Sequence, residues 1–351
     1  MMSIASQMLK IAEDFLLSEV RPRAQEIDGD VAALGWALDG LAERGLLGLK
    51  LNPEVSEPDF RKFQELVARA SGSLAFLQTQ HQSAASLIAK SDNEDLKAEY
   101  LAQMATGAMR LGIGFSQLRR PGPPIMKATP SEGGYSLAGT VPWITGLDFY
   151  SEFVIGATLP TGEAVFGLVP FDNTSEISLG SVMPLCAMES AQTVSGEITN
   201  HFLPEEKVLF TRPSSWIANN DMINITLQGH FALGCAQAGI DVIRQAYERK
   251  PFDFIVNSAD HLLTELEECR AAATRSQELA ESTQGRLHIR AWAIDLAVRC
   301  AHAAIAASGG ASNSRAHPAQ RIYREALVYT VSAQTTEIMA ATLNRLTART
   351  P

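Results

Sequence analysis

The chain has 351 residues, of which 46% are hydrophobic and 19% charged, and its formal net charge at pH 7 is −10. At roughly 100–200 residues per domain, this length predicts two or three domains, and the composition excludes a wholly disordered or collagen-like chain. The acidic balance argues against nonspecific nucleic-acid binding, which needs a basic surface. The sequence has no uncharged apolar run of about 18 residues, so we expect no transmembrane helix and no membrane insertion.

The cysteines and the first residues bear on the cellular compartment. Cys186, Cys235, Cys269 and Cys300 form no CxxC pair, so the sequence offers no zinc or dithiol redox motif. We interpret them as reduced, mostly buried thiols of a cytoplasmic protein. The N-terminal segment has no basic region followed by an apolar block and carries Glu13, so we predict no secretory signal.

The first block, residues 1–108, has a helical pattern. Apolar residues recur at spacings of four, three and four over residues 4–15, which makes one apolar helix face. Residues 60–70 and 95–105 repeat this pattern between polar or Gly/Pro turns. We therefore predict an N-terminal helical domain.

The middle block, residues 109–212, is richer in Gly, Pro, Thr and Ser, and its apolar runs are short. Alternating or buried-strand patterns predict strands at four places, separated by turn signals such as Gly133-Gly134. These strands are expected at residues 135–141, 153–158, 164–169 and 193–198. The pattern indicates an antiparallel β-domain.

The last block, residues 213–351, is again helical. One long helix is predicted from the Asn219–Asp221 region to Arg249, and three more begin near residues 258, 287 and 318. Their alanine-rich faces suit the tight packing of a four-helix bundle. The fold class is therefore α+β, with helices, a β-domain and a helical bundle in chain order.

Four short motifs in this order resemble the acyl-CoA dehydrogenase superfamily. They are Trp143-Ile-Thr-Gly146, Glu248-Arg-Lys-Pro-Phe252, the pair Gly309-Gly310, and Arg321-Ile-Tyr-Arg-Glu-Ala326 after Pro318. The resemblance covers nearly the whole chain. It implies a central antiparallel β-barrel-like domain between two helical units, with FAD bound between the β-domain and the C-terminal bundle. It also implies a homodimer or homotetramer, an acyl-CoA or other small acyl substrate, and an electron-transfer partner.

The resemblance assigns cofactor-binding roles to individual residues. Trp143 would flank the flavin ring and Thr145 would hydrogen-bond its reactive edge, while Ser116 keeps a hydroxyl of the family's first flavin motif. Arg249, across a subunit interface in the family, would bind the pyrophosphate, since a guanidinium suits two phosphate oxygens. The remaining FAD contacts by this resemblance are Phe252, Gly309, Gly310 and Thr335.

The loop after Ser116 departs from the family motif. The serine that contacts pyrophosphate in the family is missing and the loop is shorter. Arg119 and Arg120 either replace that serine by charge or form a solvated basic pair on a loop.

The positions of the family's catalytic base differ more strongly from the family pattern. The family's dehydrogenases remove a proton next to a thioester with a glutamate while hydride passes to the flavin. The two family positions for this base fall on Ala333 and Asn224, and neither residue type can act as a base. Glu337, one helical turn after Ala333, is a weak candidate replacement. Other titratable candidates, each also explained as structural or surface histidines, are His81, His230 and His317.

Three functions stay open at this point. The first is an FAD-dependent acyl-CoA dehydrogenase-like oxidoreductase with a replaced base, and we favour it. The second is a non-catalytic binding or assembly protein on this fold, which the missing glutamate supports. The third is a flavin-dependent monooxygenase, for which Tyr329 and Ser332 give an incomplete signature. The sequence has no cluster with metal-ligand spacing, so no metal is expected.

Overall fold

A computed structural model describes residues 3–278 and 281–348 and begins with a helical unit. Side chains that accept from the first turn, such as those of Ser3 and Ser56, start several of these helices. The helices are α1 (Ile4–Phe15), α2 (Ala24–Gly29), α3 (Val31–Glu43), α4 (Glu57–Ala70), α5 (Gly72–Ala89) and α6 (Glu94–Thr106). The predicted N-terminal helical domain is confirmed, with α5 as a helix that the sequence pattern did not reveal.

The middle block forms one eight-stranded sheet. Its strands are β1 (Leu111–Gly114), β2 (Met126–Ser131), β3 (Gly134–Thr145), β4 (Glu152–Thr158), β5 (Ala164–Pro170), β6 (Ile177–Leu179), β7 (Thr193–Pro204) and β8 (Val208–Arg212). The order is β6-β7-β3-β2-β4-β5-β8, and β1 also pairs with β4. The predicted β-domain is confirmed, but the sheet is mixed rather than purely antiparallel, because β4 pairs in parallel with both β1 and β2.

The last block is helical, with more breaks than the sequence predicts. Its helices are α7 (Trp216–Asn224), α8 (Gly229–Arg249), α9 (Asp253–Glu278), α10 (Thr283–Ser308), α11 (Pro318–Val331) and α12 (Thr336–Thr347). The expected first long helix divides into α7 and α8 at a turn over residues 225–228. The expected last helix divides into α11 and α12, because Ala333 takes a left-handed backbone conformation with φ of 48°.

Helix α8 lies at the centre of the packing and contacts α4, α9, α10 and α11. Two glycines permit this close approach. A β-carbon at Gly234 would overlap the Glu65 carbonyl oxygen of α4, and one at Gly239 would lie 2.7 Å from the Cys300 carbonyl carbon of α10. Among the described helices, none is long and apolar enough to cross a membrane.

Candidate flavin site

Two of the residues predicted to contact flavin lie at the end of β3. The Thr145 side chain is buried, and its Oγ1 is 3.0 Å from Oγ1 of Thr193. Trp143 is 46% exposed, which leaves its indole ring free to contact a ligand. Strand β1 runs beside this end, since a β-carbon on Gly112 would lie 3.3 Å from the Thr145 carbonyl oxygen.

Ser116 follows β1 at the start of a short 3₁₀ segment. Its Oγ is buried and has no hydrogen-bond partner among the described residues. A buried hydroxyl without a partner is costly, so this atom is available to a ligand or a water molecule.

The two arginines after Ser116 have different roles. Arg119 makes a bidentate ion pair with Asp221 of α7, at 2.7 Å and 2.8 Å, and so ties the loop to the C-terminal unit. Arg120 is exposed and has no carboxylate within 4.0 Å in the described part of the chain. Of the predicted basic pair, Arg120 alone therefore keeps an uncompensated charge for phosphate binding.

The two predicted base positions lie at the end of α7 and in the turn after α11. Asn224 ends α7, and its Nδ2 donates to the Asn220 carbonyl at 2.8 Å. The next residue, Ile225, packs in one small apolar cluster with Ile338 of α12. Ala333 lies five residues before Ile338, in the turn that leads into α12. Neither Asn224 nor Ala333 has a side chain that can titrate.

Thr335 and Glu337 serve the start of α12. The Thr335 Oγ1 accepts from the Ile338 amide at 3.3 Å, which makes Thr335 the N-cap. Glu337 is exposed, and its hydrogen bond with Thr335 holds the pKa of its carboxyl below the usual value. This environment favours helix capping, and a catalytic role for Glu337 stays a prediction.

The remaining predicted residues lie at the other end of the bundle. Arg249 ends α8, and Phe252 is 54% exposed and stacks on Phe254 with centroids 5.4 Å apart. Gly309 has φ of 69°, and a β-carbon there would lie 3.5 Å from Nζ of Lys250. Gly310 has open space around it. The end of α8 and the end of α10 therefore form one basic surface with accessible backbone.

Helix α10 separates the two groups of predicted residues. Arg290 of α10 donates to the Ser332 carbonyl in the α11–α12 turn, whereas Gly309 follows the other end of this helix. At 1.5 Å per residue, Arg290 and Gly309 are about 28 Å apart along α10. The turn before Thr335 and the Gly309–Gly310 backbone therefore lie toward opposite ends of α10.

Buried polar contacts that the sequence did not predict lie between these groups. Glu65 of α4 is bonded to His230 Nδ1 at 2.6 Å and to Arg270 Nε at 2.7 Å. These two partners outweigh burial and lower the pKa of the Glu65 carboxyl. His230 Nε2 has no partner among the described residues. The sequence marks His230 as titratable, but Glu65 lies far away in the chain and gives no local signal.

A second buried pair lies in the motif of α11. Arg321 and Glu325 are paired at 2.5 Å, and Glu325 also accepts from the Gly72 amide of α5 at 3.0 Å. Burial raises the pKa of the Glu325 carboxyl. This motif joins the N-terminal helices to the bundle and holds the two helical units together.

The residues fit FAD in part. Ser116 has a free buried hydroxyl, Thr145 a hydroxyl at the strand end, and the Gly309–Gly310 backbone is open beside Lys250. In a fold that binds FAD, the hydroxyls of Ser116 and Thr145 would hold the flavin ring. The Gly309–Gly310 backbone and Lys250 would hold the phosphates. Among the described residues, no group of three His, Cys, Asp or Glu side chains could hold a metal ion.

Comparison with known proteins identifies the family to which this fold belongs. The sequence signature of the acyl-CoA dehydrogenase N-terminal domain matches residues 5–108, and that of the C-terminal domain matches residues 229–347. The chain belongs to the acyl-CoA dehydrogenase family, whose members are flavin-dependent oxidoreductases.

Individual relatives are distant. The mitochondrial short/branched chain specific acyl-CoA dehydrogenase of Bos taurus is 23% identical, over 97% of this chain and 84% of that protein. The 3-(aryl)acrylate reductase of Clostridium sporogenes is 21% identical, over 94% of each chain. Butyryl-CoA dehydrogenase from Megasphaera elsdenii has the same fold, with a TM-score of 0.82 and 19% identity over 99% of each chain. PigA with FAD and proline gives a TM-score of 0.80 at 17% identity, over 99% of this chain and 98% of that one.

Proposed function

We propose that the protein is an FAD-dependent oxidoreductase that acts on an acyl-CoA or similar acyl substrate by hydride transfer to the flavin. The observation that carries this proposal is the buried Ser116 hydroxyl, which has no partner among the described residues and follows β1, the strand beside the Thr145 end of β3. By the family resemblance, both hydroxyls would contact the flavin ring. Trp143 supports the same assignment, because its exposed ring is placed to shield a bound flavin from water.

Bound FAD would supply the hydride acceptor. The chain's own residues would orient it: Thr145 and Ser116 through hydroxyl hydrogen bonds, and Arg249 with Lys250 through charge on the phosphates. Because Ala333 and Asn224 do not titrate, a substrate proton must leave to another group or to water. We therefore expect slow oxidation of simple acyl-CoAs, which need a base at the α-carbon.

A second copy of the chain completes this proposal. Arg290, which contacts the turn before Thr335, and Gly309 are about 28 Å apart along α10, so we propose that one subunit supplies Arg249 and Gly309 to its partner's flavin. The protein would then be a homodimer or homotetramer. Relay of electrons to a separate carrier protein and a cytoplasmic location belong to the same proposal.

A non-catalytic binding or assembly protein is the second candidate. The observation that favours it is the absence of a carboxylate at both predicted base positions, Ala333 and Asn224. Such a protein would bind no FAD, or would bind FAD that no acyl substrate reduces.

A visible absorption spectrum of the purified protein, recorded before and after FAD is added and the sample is desalted, separates these candidates. A retained flavin spectrum that acyl-CoAs bleach under anaerobic conditions supports the oxidoreductase. A well-folded protein that retains no flavin supports the non-catalytic function and contradicts the first proposal.

A further inference from the structure

Arg290 is a buried cation at the base of the α11–α12 turn. It is the bulkiest fully buried side chain among the described residues, and 1% of its surface is exposed. It lies on the N-terminal part of α10, beside α8, because a β-carbon on Gly229 would be 4.0 Å from its Cδ. Its position is therefore inside the bundle, where a charge is costly.

The contacts of Arg290 are with one turn of backbone. Its Nη2 donates to the Ser332 carbonyl at 3.1 Å, with a longer contact of 3.5 Å to the Tyr329 carbonyl. These carbonyls end α11 and would otherwise lack partners. A cation at a helix C-terminus is favourable, so Arg290 fixes the place where α11 stops and the turn begins.

The charge of Arg290 is otherwise uncompensated. Its Nε and Nη1 have no acceptor, and it has no carboxylate within 4.0 Å in the described part of the chain. The hydroxyl of Tyr329, in the last turn of α11, also lacks a hydrogen-bond partner within the described residues. Residue 333 in this turn is an alanine, so it supplies no carboxylate that could neutralise the charge of the Arg290 guanidinium.

We propose that Arg290 is a positioning residue of the flavin site, which holds the turn at Ser332 and supplies it with positive charge. This inference rests on the proposed function, since the turn contains Ala333 and leads to Thr335, the residue assigned to FAD. A fixed cation there stabilises negative charge that develops on reduction of the flavin. The positive charge of Arg290 would therefore favour transfer of hydride to the flavin. By the resemblance, family dehydrogenases have the negative charge of a glutamate in this turn.

Two variants of the full-length protein, with a matched control, test whether Arg290 holds the turn at Ser332 and whether its charge acts on the flavin. Arg290→Met removes the charge and keeps most of the volume, and Arg290→Lys keeps the charge with less reach. His288→Met changes an exposed residue of the same helix and serves as the control. The readouts are hydrogen exchange of the amides of residues 332–338 without added FAD, and the midpoint potential of the FAD-loaded protein.

We expect Arg290→Met to speed amide exchange in the turn at least tenfold. We also expect it to shift the flavin reduction equilibrium tenfold towards the oxidised form, a fall of about 30 mV for a two-electron couple. Arg290→Lys should keep the potential, and His288→Met should change neither readout. A lower melting temperature of Arg290→Met with both readouts unchanged would assign Arg290 to stability alone and overturn the inference. Wild-type protein that takes up no FAD overturns the proposed function, and this inference with it, before any variant is compared.

Discussion

Ala333 is one of the two positions to which the resemblance assigns the family's catalytic glutamate. It stands in the turn before α12 with φ of 48°. A general base contributes about 10²–10⁴-fold to such a reaction. We expect Ala333→Glu to speed anaerobic flavin reduction by acyl-CoAs at least tenfold, measured by stopped-flow absorbance.

Ala333→Gln is the control for this prediction, because it has nearly the same shape but cannot accept a proton. Equal rates for the Glu and Gln variants would show that a carboxylate at residue 333 does not reach the substrate.

Arg249 is the residue on which cofactor retention should depend most. It ends α8 beside Lys250 and Gly309, and charge-assisted hydrogen bonds to phosphate are worth about 1.5–3 kcal/mol. We therefore expect Arg249→Ala to weaken FAD binding about 10- to 100-fold in a fluorescence titration. Arg244→Ala, one turn earlier on α8 and paired with Asp260 at 3.1 Å, should leave it unchanged. Equal FAD affinity of the two variants would remove Arg249 from the site.

The sequence assigns roles to residues in local motifs, but it gives no signal for residues whose partners are distant in the chain. Trp143 and Thr145 stand together in one motif, so a single chain segment predicts both as flavin contacts, and both stay predictions. The sequence left Arg119 either as a phosphate ligand or as a solvated loop residue, and its ion pair with Asp221 had no local signal because Asp221 lies about a hundred residues away in the chain. Arg290 has no motif around it, and its burial emerges only when α10 packs beneath the α11–α12 turn.

At the scale of elements, His81 joins α5 to both α6 and β1. Its Nδ1 accepts from the Leu111 amide at 3.3 Å, so Nε2 carries the proton and donates to the Met104 carbonyl at 3.1 Å. Protonation of Nδ1 would place two N–H groups against each other. Burial accordingly lowers the pKa of His81 to about 4. The structure thus gives this histidine a structural role.

The depressed pKa of His81 predicts a loss of stability in acid. Below pH 6.5 the unfolded chain takes up a proton that the folded chain refuses until about pH 4. The free energy of unfolding should therefore fall by roughly 3 kcal/mol from this group between those two pH values. Urea unfolding at pH 7 and pH 5 measures the change.

His81→Gln keeps hydrogen-bonding groups but does not titrate, so its unfolding free energy should depend less steeply on pH. The same pH dependence in wild type and variant would show that His81 is not the group responsible.

Element prediction from sequence succeeded where one face is apolar and failed where polar residues are buried. Helix α1 is present over the residues whose apolar period predicted it, although Ile4 and Ile11 of the predicted apolar face are exposed. Helix α5 escaped prediction because buried polar residues, Gln78 and His81 among them, hide that period. The division between α11 and α12 was also missed, since a positive φ at an alanine has no sequence signal.

At the scale of the whole molecule, α11 and α12 each present an apolar stripe to solvent. Exposed apolar residues recur at spacings of three or four along each helix, namely Tyr323, Leu327 and Val331 on α11, and Met339, Leu343 and Leu346 on α12. Leu327 is 52% exposed and Leu343 is 54% exposed. Contiguous apolar surface of this kind marks protein–protein contacts, so we assign these stripes to the contact between copies.

The oligomer and the flavin site should therefore be lost together. We expect the double substitution Leu327→Glu and Leu343→Glu to lower the mass of the particle in analytical ultracentrifugation, because charges at an apolar interface are strongly unfavourable. If Arg249 and Gly309 act across subunits, the same variant should lose FAD although neither altered residue is among the predicted FAD contacts. Asn344→Glu, at an exposed polar position of α12, should change neither property. A monomeric variant that retains FAD with wild-type affinity would show that one subunit holds the whole cofactor, and would contradict the shared site.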